Sequence, residues 1–167
     1  MRKVHITGVP GSGKTTLSLR LADRLGVPAY DLDDVGYDGG GAAVNLITAL
    51  DEVGRIGALP GWVTEGSFVD WTAGLLAAAD TIVWLDPPRR VVLWRIARRH
   101  VVATLHGGNK HPGVRKLLRF LRFVNARYDQ SRGEKALALR PYDGKVHHVT
   151  TSDIDGLVER VVAGRGA

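Results

Sequence analysis

Apolar residues along this chain follow two patterns in turn, one typical of buried strands and one typical of amphipathic helices. The segment Thr81–Leu85 is almost wholly apolar, as expected of a strand that is covered on both faces. Leu17, Leu21 and Leu25 instead recur at the spacing of one helical face. Because the two patterns alternate along the chain, they predict alternating strands and helices.

This alternation predicts the fold class. Predicted strands cover Lys3–Thr7, Pro28–Leu32, Trp62–Glu65, Thr81–Leu85 and Lys145–Thr150. Predicted helices cover Lys14–Leu25, Ala42 to about Val53, Arg90 to about Val102, Val114 to about Arg127, and Ile154–Val162. Short apolar strands between helices are typical of a parallel sheet with helices on both faces. We therefore expect an α/β fold with three layers (α/β/α), a five-stranded, mainly parallel sheet, and one domain over residues 1–167.

A glycine-rich segment directly follows the first predicted strand. It reads Gly8-Val9-Pro10-Gly11-Ser12-Gly13-Lys14-Thr15, the Gly-x4-Gly-Lys-Thr spacing of a phosphate-binding loop. Glycines let successive backbone N–H groups point at phosphate oxygens, and the helix that begins at Lys14 adds its positive end. A tight glycine turn without a ligand is the alternative, but it would rarely lie between a strand and an amphipathic helix. The segment predicts a P-loop NTPase fold, with Thr16 also at the nucleotide.

Two residues of this loop carry specific chemistry. Lys14 is expected to reach the β- and γ-phosphates and to be catalytic, and the Thr15 hydroxyl is expected to bind Mg²⁺. Both roles require a nucleoside triphosphate in the loop.

Carboxylates follow the predicted strands at the sheet edge that also holds the phosphate loop. Asp31 and Asp33 follow the second strand, and in an extended segment their side chains share one face. We expect Asp31 to assist the metal and Asp33 to act on the acceptor hydroxyl, and both to contact substrate. The alternative for these residues is an acid that forms a turn or caps a helix. Glu65 ends the third strand and is a further substrate-binding candidate, or else a surface acid; Asp86, before Pro87-Pro88, is read as shaping a loop.

Charge is distributed unevenly along the chain, whose net charge is +6. Up to Asp86 there are six Lys/Arg against eleven Asp/Glu, whereas Arg89–Tyr128 holds eleven Lys/Arg and no acid. A basic block of this kind is a solvated face, a nucleic-acid-binding surface or a contact for nucleotide phosphates. The phosphate loop upstream favours the third interpretation.

Arginines within the basic block recur on helical faces, as three or four residues apart on a helix are neighbours. We expect a basic lid near residues 95–127 that closes over the triphosphate and excludes water. Arg95 and Arg99 are the predicted catalytic and nucleotide-binding residues of this lid. The two sets that share a face are Arg95, Arg98 and Arg99, and Arg115, Arg119 and Arg122.

Other residues narrow the function further. The chain has no cysteine, which excludes disulfides and thiolate metal sites. The stretch Ala73–Leu85 is too short to cross a bilayer and is interrupted by Asp80, so we expect a cytoplasmic protein without a membrane contact. His5, His147 and His148 are interpreted as structural. Trp71 is a candidate for stacking against a substrate.

Several of these segments together resemble the adenylate-kinase-like P-loop kinases, which include shikimate, gluconate and nucleoside monophosphate kinases. Among them the chain is most similar to the small bacterial proteins called DNA topology modulation proteins. The segments that carry the resemblance are Gly8–Thr15, Leu32–Asp34, Trp62–Gly66, Ala79–Asp86 and Leu93–Arg99.

The resemblance implies roles for individual residues. ATP is the implied donor, with Lys14 and Thr15 at its phosphates and Mg²⁺. Asp31 and Asp33 resemble the Asp-x-Asp pair of shikimate kinases. Arg95 and Arg99 are similar to lid arginines that touch ATP, and residues 150–153 to an adenine-flanking loop.

The chain departs from the family pattern mainly on the acceptor side. Glu65 stands where the subgroup more often has Asp before Gly, and Tyr37–Gly41 matches neither a nucleotide pocket nor a shikimate pocket. The lid lacks the later Arg-x-Asp motif. The substrate-binding segment is expected near residues 33–60.

The sequence therefore predicts a kinase, monomeric or homodimeric, that transfers the γ-phosphate of Mg·ATP to a small-molecule or nucleotide acceptor. Two alternatives stay open: a nucleic-acid-associated ATPase or regulator, and a nucleotide-binding switch with negligible turnover. Binding to nucleic acid is expected only under the first of these alternatives.

Overall fold

The computed structural model of this chain describes residues 2–36, 44–67, 71–106, 113–150 and 154–163. Five strands and seven α-helices lie in these ranges, with a 3₁₀ helix at Arg140–Lys145. The strands are β1 (Lys3–Gly8), β2 (Ala29–Asp31), β3 (Trp62–Gly66), β4 (Thr81–Leu85) and β5 (Val146–Val149). The helices are α1 (Lys14–Leu25), α2 (Leu32–Gly36), α3 (Leu46–Ala58), α4 (Ala73–Ala78), α5 (Arg89–Leu105), α6 (Val114–Leu139) and α7 (Ile154–Val162).

The five strands form one parallel sheet in the order β2-β3-β1-β4-β5. In the centre of the sheet Val4 pairs with Val63 on one side and Thr81 on the other. A strand covered on both faces has apolar or internally bonded side chains throughout, and β3 is buried along its whole length. The predicted α/β fold with a five-stranded parallel sheet is confirmed.

Hydrophobic clusters cover the two faces of the sheet. On one face, Leu17 and Leu21 of α1 pack with Leu157 of α7 against Val4 and Ile6. On the other face, α3 and α4 pack with the end of α6 against the aromatic and aliphatic side chains of β3 and β4. The sheet thus lies between two helical layers, as predicted.

The segment after β2 differs from the prediction. Strand β2 ends at Asp31, and the short helix α2 begins at the next residue, so Asp33 is helical rather than extended. The Asp31 carboxylate accepts a hydrogen bond from the backbone N–H of Asp33 at 2.9 Å, which satisfies a free donor of the first turn. The expected strand alternation is therefore wrong for Asp33.

Helix α6 is longer than its apolar pattern predicts, because it continues to Leu139 instead of ending near Arg127. Tertiary packing outweighs the helix-weakening Gly133. Tyr128 is buried and donates a hydrogen bond to the carbonyl of Pro87 at 2.7 Å, and Leu139 is buried in the cluster beneath the sheet.

Other predicted boundaries shift for local reasons. Helix α3 begins at Leu46 because Asn45 caps it, its side chain accepting from the N–H of Ile47 at 2.9 Å. The predicted start at Ala42 lies outside the described residues, as do Tyr37–Gly41, the centre of the lid turn (107–112) and residues 151–153. Within the described ranges, no helix is both long enough and apolar enough to cross a membrane. That residues 1–167 form one domain stays a prediction.

Candidate active site

The phosphate loop joins the carboxyl end of β1 to the start of α1, with glycines where its backbone needs them. Gly11 and Gly13 have φ of 81° and 106°, a region in which other residues are strained. At Gly8 an added Cβ would lie 2.5 Å from the carbonyl oxygen of Leu85, so β4 tolerates only glycine there. The loop closes on itself through a 3.1 Å hydrogen bond from the Ser12 N–H to the Val9 carbonyl.

The first residue of α1 lies folded against the loop. The Lys14 ammonium donates to the Val9 carbonyl and to the Ser67 hydroxyl, each at 3.3 Å, and only 9% of the residue is exposed. Burial lowers the pKa of Lys14, and the negative charges of Glu65, Asp33 and Asp31 oppose that shift. The lysine is therefore a buried cation held between a phosphate loop and three carboxylates.

Thr15 contacts the strand beside the loop. Its hydroxyl donates to Glu65 Oε1 at 2.5 Å, and Glu65 is only 3% exposed. Burial raises the pKa of Glu65, against the hydrogen bond from Thr15 and the charge of Lys14. Asp31 pairs with Glu65 in the parallel register, so both side chains point to the face of the sheet that α1 covers.

Asp33 completes the acidic wall from the first turn of α2. Burial and the neighbouring Asp31 raise the pKa of Asp33, while Lys14 lowers it. A carboxylate whose pKa is moved toward neutrality is better suited to accept a proton from a hydroxyl.

The opposite wall is formed by α5, which packs directly on the loop. An added Cβ at Gly11 would lie 2.9 Å from Ile96 and 3.1 Å from the Val92 carbonyl, so helix and loop are in close contact. Arg95 donates through Nη1 to the Ser12 carbonyl at 2.7 Å. Arginine cations thus lie over the loop, where phosphates are expected to bind.

The two walls enclose one cleft of about 830 Å³, a volume typical of small-molecule sites. Most predicted site residues line it together, whereas Arg115, Arg119 and Arg122 of α6 do not. The predicted residues that line the cleft are Pro10, Gly11, Gly13, Lys14, Thr15, Thr16, Asp31, Asp33, Glu65, Arg95 and Arg99.

Two predicted loop residues, Gly8 and Ser12, do not line the cleft themselves. Gly8 lies at the strand end, and Ser12 is buried, with its hydroxyl unpartnered among the described residues. A buried hydroxyl without a partner fits a loop built to hold a polar ligand.

Trp71 does not line the cleft and instead packs, partly buried, with the cluster under α3 and α4. Its proposed stacking against a substrate stays a prediction.

Sequence reasoning did not single out six lining residues, which are Ser67, Val102, Ala103, His106, Phe120 and Ile154. Ser67 follows Glu65-Gly66 at the end of a predicted strand, a position that signals a site residue in a parallel sheet. The other five lie on α5, α6 or α7 or, for His106, directly after α5, and no sequence pattern distinguishes them from their neighbours.

The donor side chains around Thr15 decide whether a metal ion fits this site. Among the described residues no three His, Asp or Glu side chains are close enough to form a ready-made metal cage. Mg²⁺ bound to a nucleotide needs few protein ligands, because phosphates and waters supply the rest. The Thr15 hydroxyl and the Glu65 and Asp31 carboxylates fit that requirement.

Asp86 is held by other side chains, as its loop-shaping interpretation implies. Its buried carboxylate accepts a two-pronged contact from Arg132 of α6, at 2.7 to 2.9 Å, and lies 2.9 Å from His148 Nε2. His148 also stacks on Trp84, with ring centroids 4.1 Å apart. His5 is fully buried against the Thr64 hydroxyl, and burial lowers its pKa to about 4. These histidines are structural, as expected.

Comparison with known proteins finds likeness in structure only. No protein-family model and no curated protein matches the chain. A shikimate kinase from Acinetobacter baumannii, solved in complex with shikimate, has a TM-score of 0.58 and 17% identity, over 97% of this chain and 91% of that one. A gluconokinase from Sinorhizobium meliloti 1021 has a TM-score of 0.59 and 16% identity, over 98% and 90%. A shikimate kinase from Bacteroides thetaiotaomicron has a TM-score of 0.59 and 16% identity, over 96% of each chain.

At these identities the likeness shows the fold, which is that of P-loop kinases such as these. The resemblance to DNA topology modulation proteins and the shikimate-kinase-like role of Asp31 and Asp33 stay predictions.

Proposed function

We propose that this protein is a kinase that transfers the γ-phosphate of Mg·ATP to a hydroxyl group of a small-molecule acceptor. The observation that carries this proposal is that phosphate-binding cations and carboxylates line the same cleft. Lys14 and Arg95 lie on its phosphate-loop side, and Asp31, Asp33 and Glu65 lie opposite. A site that only held Mg·nucleotide would need the cations and the metal-side acids, but it would have no use for the further carboxylate of Asp33.

The residues on the donor side bind and orient the triphosphate. The loop N–H groups and Lys14 hold its β- and γ-phosphates, and Arg95 and Arg99 stabilise the charge that develops on the transferring group. Thr15, with Glu65 and Asp31, holds Mg²⁺, which neutralises charge on the phosphate oxygens.

On the acceptor side, Asp33 acts on the attacking hydroxyl. It orients the hydroxyl and accepts its proton as the bond to phosphorus forms. Because phosphoryl transfer depends mainly on positioning and charge, α5 and α6 contribute by excluding water, which would otherwise accept the phosphate.

The alternative is a nucleic-acid-associated ATPase. The arginines of α6 that do not line the cleft favour it, since an outward basic surface binds phosphate backbones. The arginines of α5 favour the kinase, because Arg95, Arg98 and Arg99 all line the cleft that contains the phosphate loop. An exposed basic helix is common on soluble proteins, whereas three arginines over a P-loop have a direct catalytic use.

The experiment that tests the proposal is a screen for ADP release in the presence of Mg·ATP and single hydroxyl compounds, which include sugars, polyols, hydroxy acids, amino alcohols, nucleosides and nucleotides. We expect at least one class to raise ADP release well above basal hydrolysis and to yield a phosphorylated product by mass spectrometry. Lys14→Ala is expected to abolish transfer, with losses of about 10³-fold or more.

The matched control is Lys116→Ala, which removes an exposed lysine of α6. It should leave transfer unchanged. If no acceptor raises turnover above hydrolysis, or if Lys14→Ala retains transfer, the kinase assignment is wrong. Tight DNA binding that weakens steeply with salt would instead support the ATPase alternative.

A further inference from the structure

The half of the chain that supplies the acceptor wall is almost devoid of positive charge. From Gly26 to Asp86 the sequence contains ten Asp/Glu, a single arginine (Arg55), and no lysine or histidine. This count includes residues 37–43 and 68–70, whose sequence adds acids and no base. Three of these acids, Asp31, Asp33 and Glu65, line the cleft, so a substrate group held by this half meets a negative field.

The single arginine is engaged elsewhere. Arg55 donates to both carboxylate oxygens of Glu52, at 2.6 and 2.7 Å, and lies over the ring of Tyr30. It is not among the residues that line the cleft.

Two cations of α6, which lies outside this half of the chain, are engaged as well. Arg132 is held by the buried Asp86, and Lys135 is buried with its ammonium on the Ser131 hydroxyl. Among the described residues, the Lys and Arg side chains that line the cleft are Lys14 and three arginines of α5, of which Arg95 contacts the phosphate loop.

The acidic wall itself is short of compensating charge. Three carboxylates share the cleft with four Lys/Arg side chains, and Mg·ATP adds further negative charge when it binds. Under the proposed function, the Lys and Arg side chains of the cleft bind the triphosphate. A carboxylate or phosphate on the acceptor would then add like charge next to the acids, which is unfavourable in a partly closed site.

We propose that the acceptor is a hydroxyl compound without an acidic group, and that an amino group on it is bound by Asp33. This inference rests on the proposed function and names the substrate class of the same site. An ammonium group supplies the positive charge that the wall lacks, while a neighbouring hydroxyl of the same molecule receives the phosphate. The hydroxyl oxygen forms the bond to phosphorus as the bond to ADP breaks, and its proton passes to Asp33.

The test uses acceptor trios that share a hydroxylated skeleton and differ in charge. Two such trios are gluconate, glucose and glucosamine, and glycerate, glycerol and serinol. Binding of each member is measured by ligand-observed NMR, with the full chain saturated with a non-hydrolysable ATP analogue and Mg²⁺. We expect the amine to bind about tenfold or more tightly than the acid, with the neutral compound between them.

Two variants locate the effect. Asp33→Asn is expected to reduce the preference of the amine over the neutral member several-fold in the binding measurement. Asp51→Asn removes an exposed acid from the same half, on α3, and should leave the preference unchanged. Arg55→Gln should also leave it unchanged, because Arg55 is bound to Glu52.

Several outcomes overturn the inference: equal or tighter binding of the acids, shikimate included; no binding by any member of the trios; or equal effects of Asp33→Asn and Asp51→Asn. Because binding is measured without transfer, the result is separable from the kinase assignment. Phosphorylation of an acid acceptor would retain the kinase and remove this inference. An amine preference without transfer to any compound would do the reverse.

Discussion

Thr15 and Glu65 are fifty residues apart in sequence, yet the hydroxyl of one donates to the carboxylate of the other at 2.5 Å. The contact joins the first turn of α1 to the carboxyl end of β3. It places Thr15, the predicted Mg²⁺ ligand of the phosphate loop, against Glu65, an acid that strand β3 positions. Four predictions follow from this contact and from three others.

Glu65→Gln is expected to lower phosphoryl transfer about tenfold or more and to raise the Mg²⁺ concentration needed for half-maximal rate. The amide keeps the shape and an acceptor oxygen but loses the charge that, under the proposed function, would orient the metal and its waters. Stability should be retained, because burial already disfavours the ionised form of Glu65. ADP release measured across an Mg²⁺ series checks the effect. Glu52→Gln, on an exposed acid of α3, is the control, and an unchanged Mg²⁺ dependence in Glu65→Gln contradicts the assignment.

Arg95→Gln is expected to reduce kcat by about 10²-fold, with a smaller change in the KM for ATP. Its guanidinium contacts the Ser12 carbonyl beside the phosphate position, so its main effect is on charge that develops during transfer. Steady-state kinetics with saturating acceptor measure the two constants. Arg90→Gln removes an exposed arginine from the same helix and should behave like the unmodified protein. Equal losses in both variants would point to a general effect of helix charge instead.

Asp86→Asn is expected to lower the free energy of unfolding by about 2 kcal/mol, since the buried side chain loses its charge-assisted hydrogen bonds with Arg132. The pair ties α6 to the end of β4, so unfolding in urea reports it directly. Asp129→Asn serves as the control, because Asp129 is an exposed partner of Arg89 and such pairs contribute little. A loss below about 1 kcal/mol for Asp86→Asn would show that the buried pair is not a stabilising tie.

Lys135→Met is expected to raise the free energy of unfolding at pH 7 by about 1–3 kcal/mol. Burial lowers the pKa of Lys135 from 10.5 to about 8, with the charge of Lys14 contributing. Between these values the unfolded chain binds more protons, so the stability of the unmodified protein should rise as pH increases from 8 toward 10.5. The cost of the buried charge is present in full below pH 8.

The methionine variant lacks the titrating group, so it should lack that part of the rise. Urea unfolding at pH 7, 8.5 and 10 measures it, with Lys116→Met as the exposed control on the same helix. A variant with the same pH dependence as the unmodified protein would mean that Lys135 keeps its proton throughout.

Local signals in the sequence account for the sheet, the phosphate loop and the helix that follows it. Buried parallel strands need apolar side chains on both faces, and a phosphate loop needs glycines at fixed spacing, so both can be identified from residue types alone. Lys14 and Thr15 could therefore be placed at the phosphate loop from the sequence, whereas their roles stay predictions. Asp31 and Glu65 could be placed at the same edge of the sheet, because the carboxyl ends of parallel strands meet there.

Only the tertiary structure decided which groups face one another. The helical start at Asp33, the extension of α6 to Leu139 and the exclusion of Trp71 from the cleft all depend on packing against residues far away in sequence. The same is true of Arg132 and Lys135. The sequence does not show whether either charge has a partner, whereas in the fold Arg132 pairs with Asp86 and Lys135 is buried. Sequence patterns report the preferences of a residue for its neighbours along the chain. The free energy of burying a charge depends on which partners the fold brings to it, and that choice made one wall of the cleft basic and the other acidic.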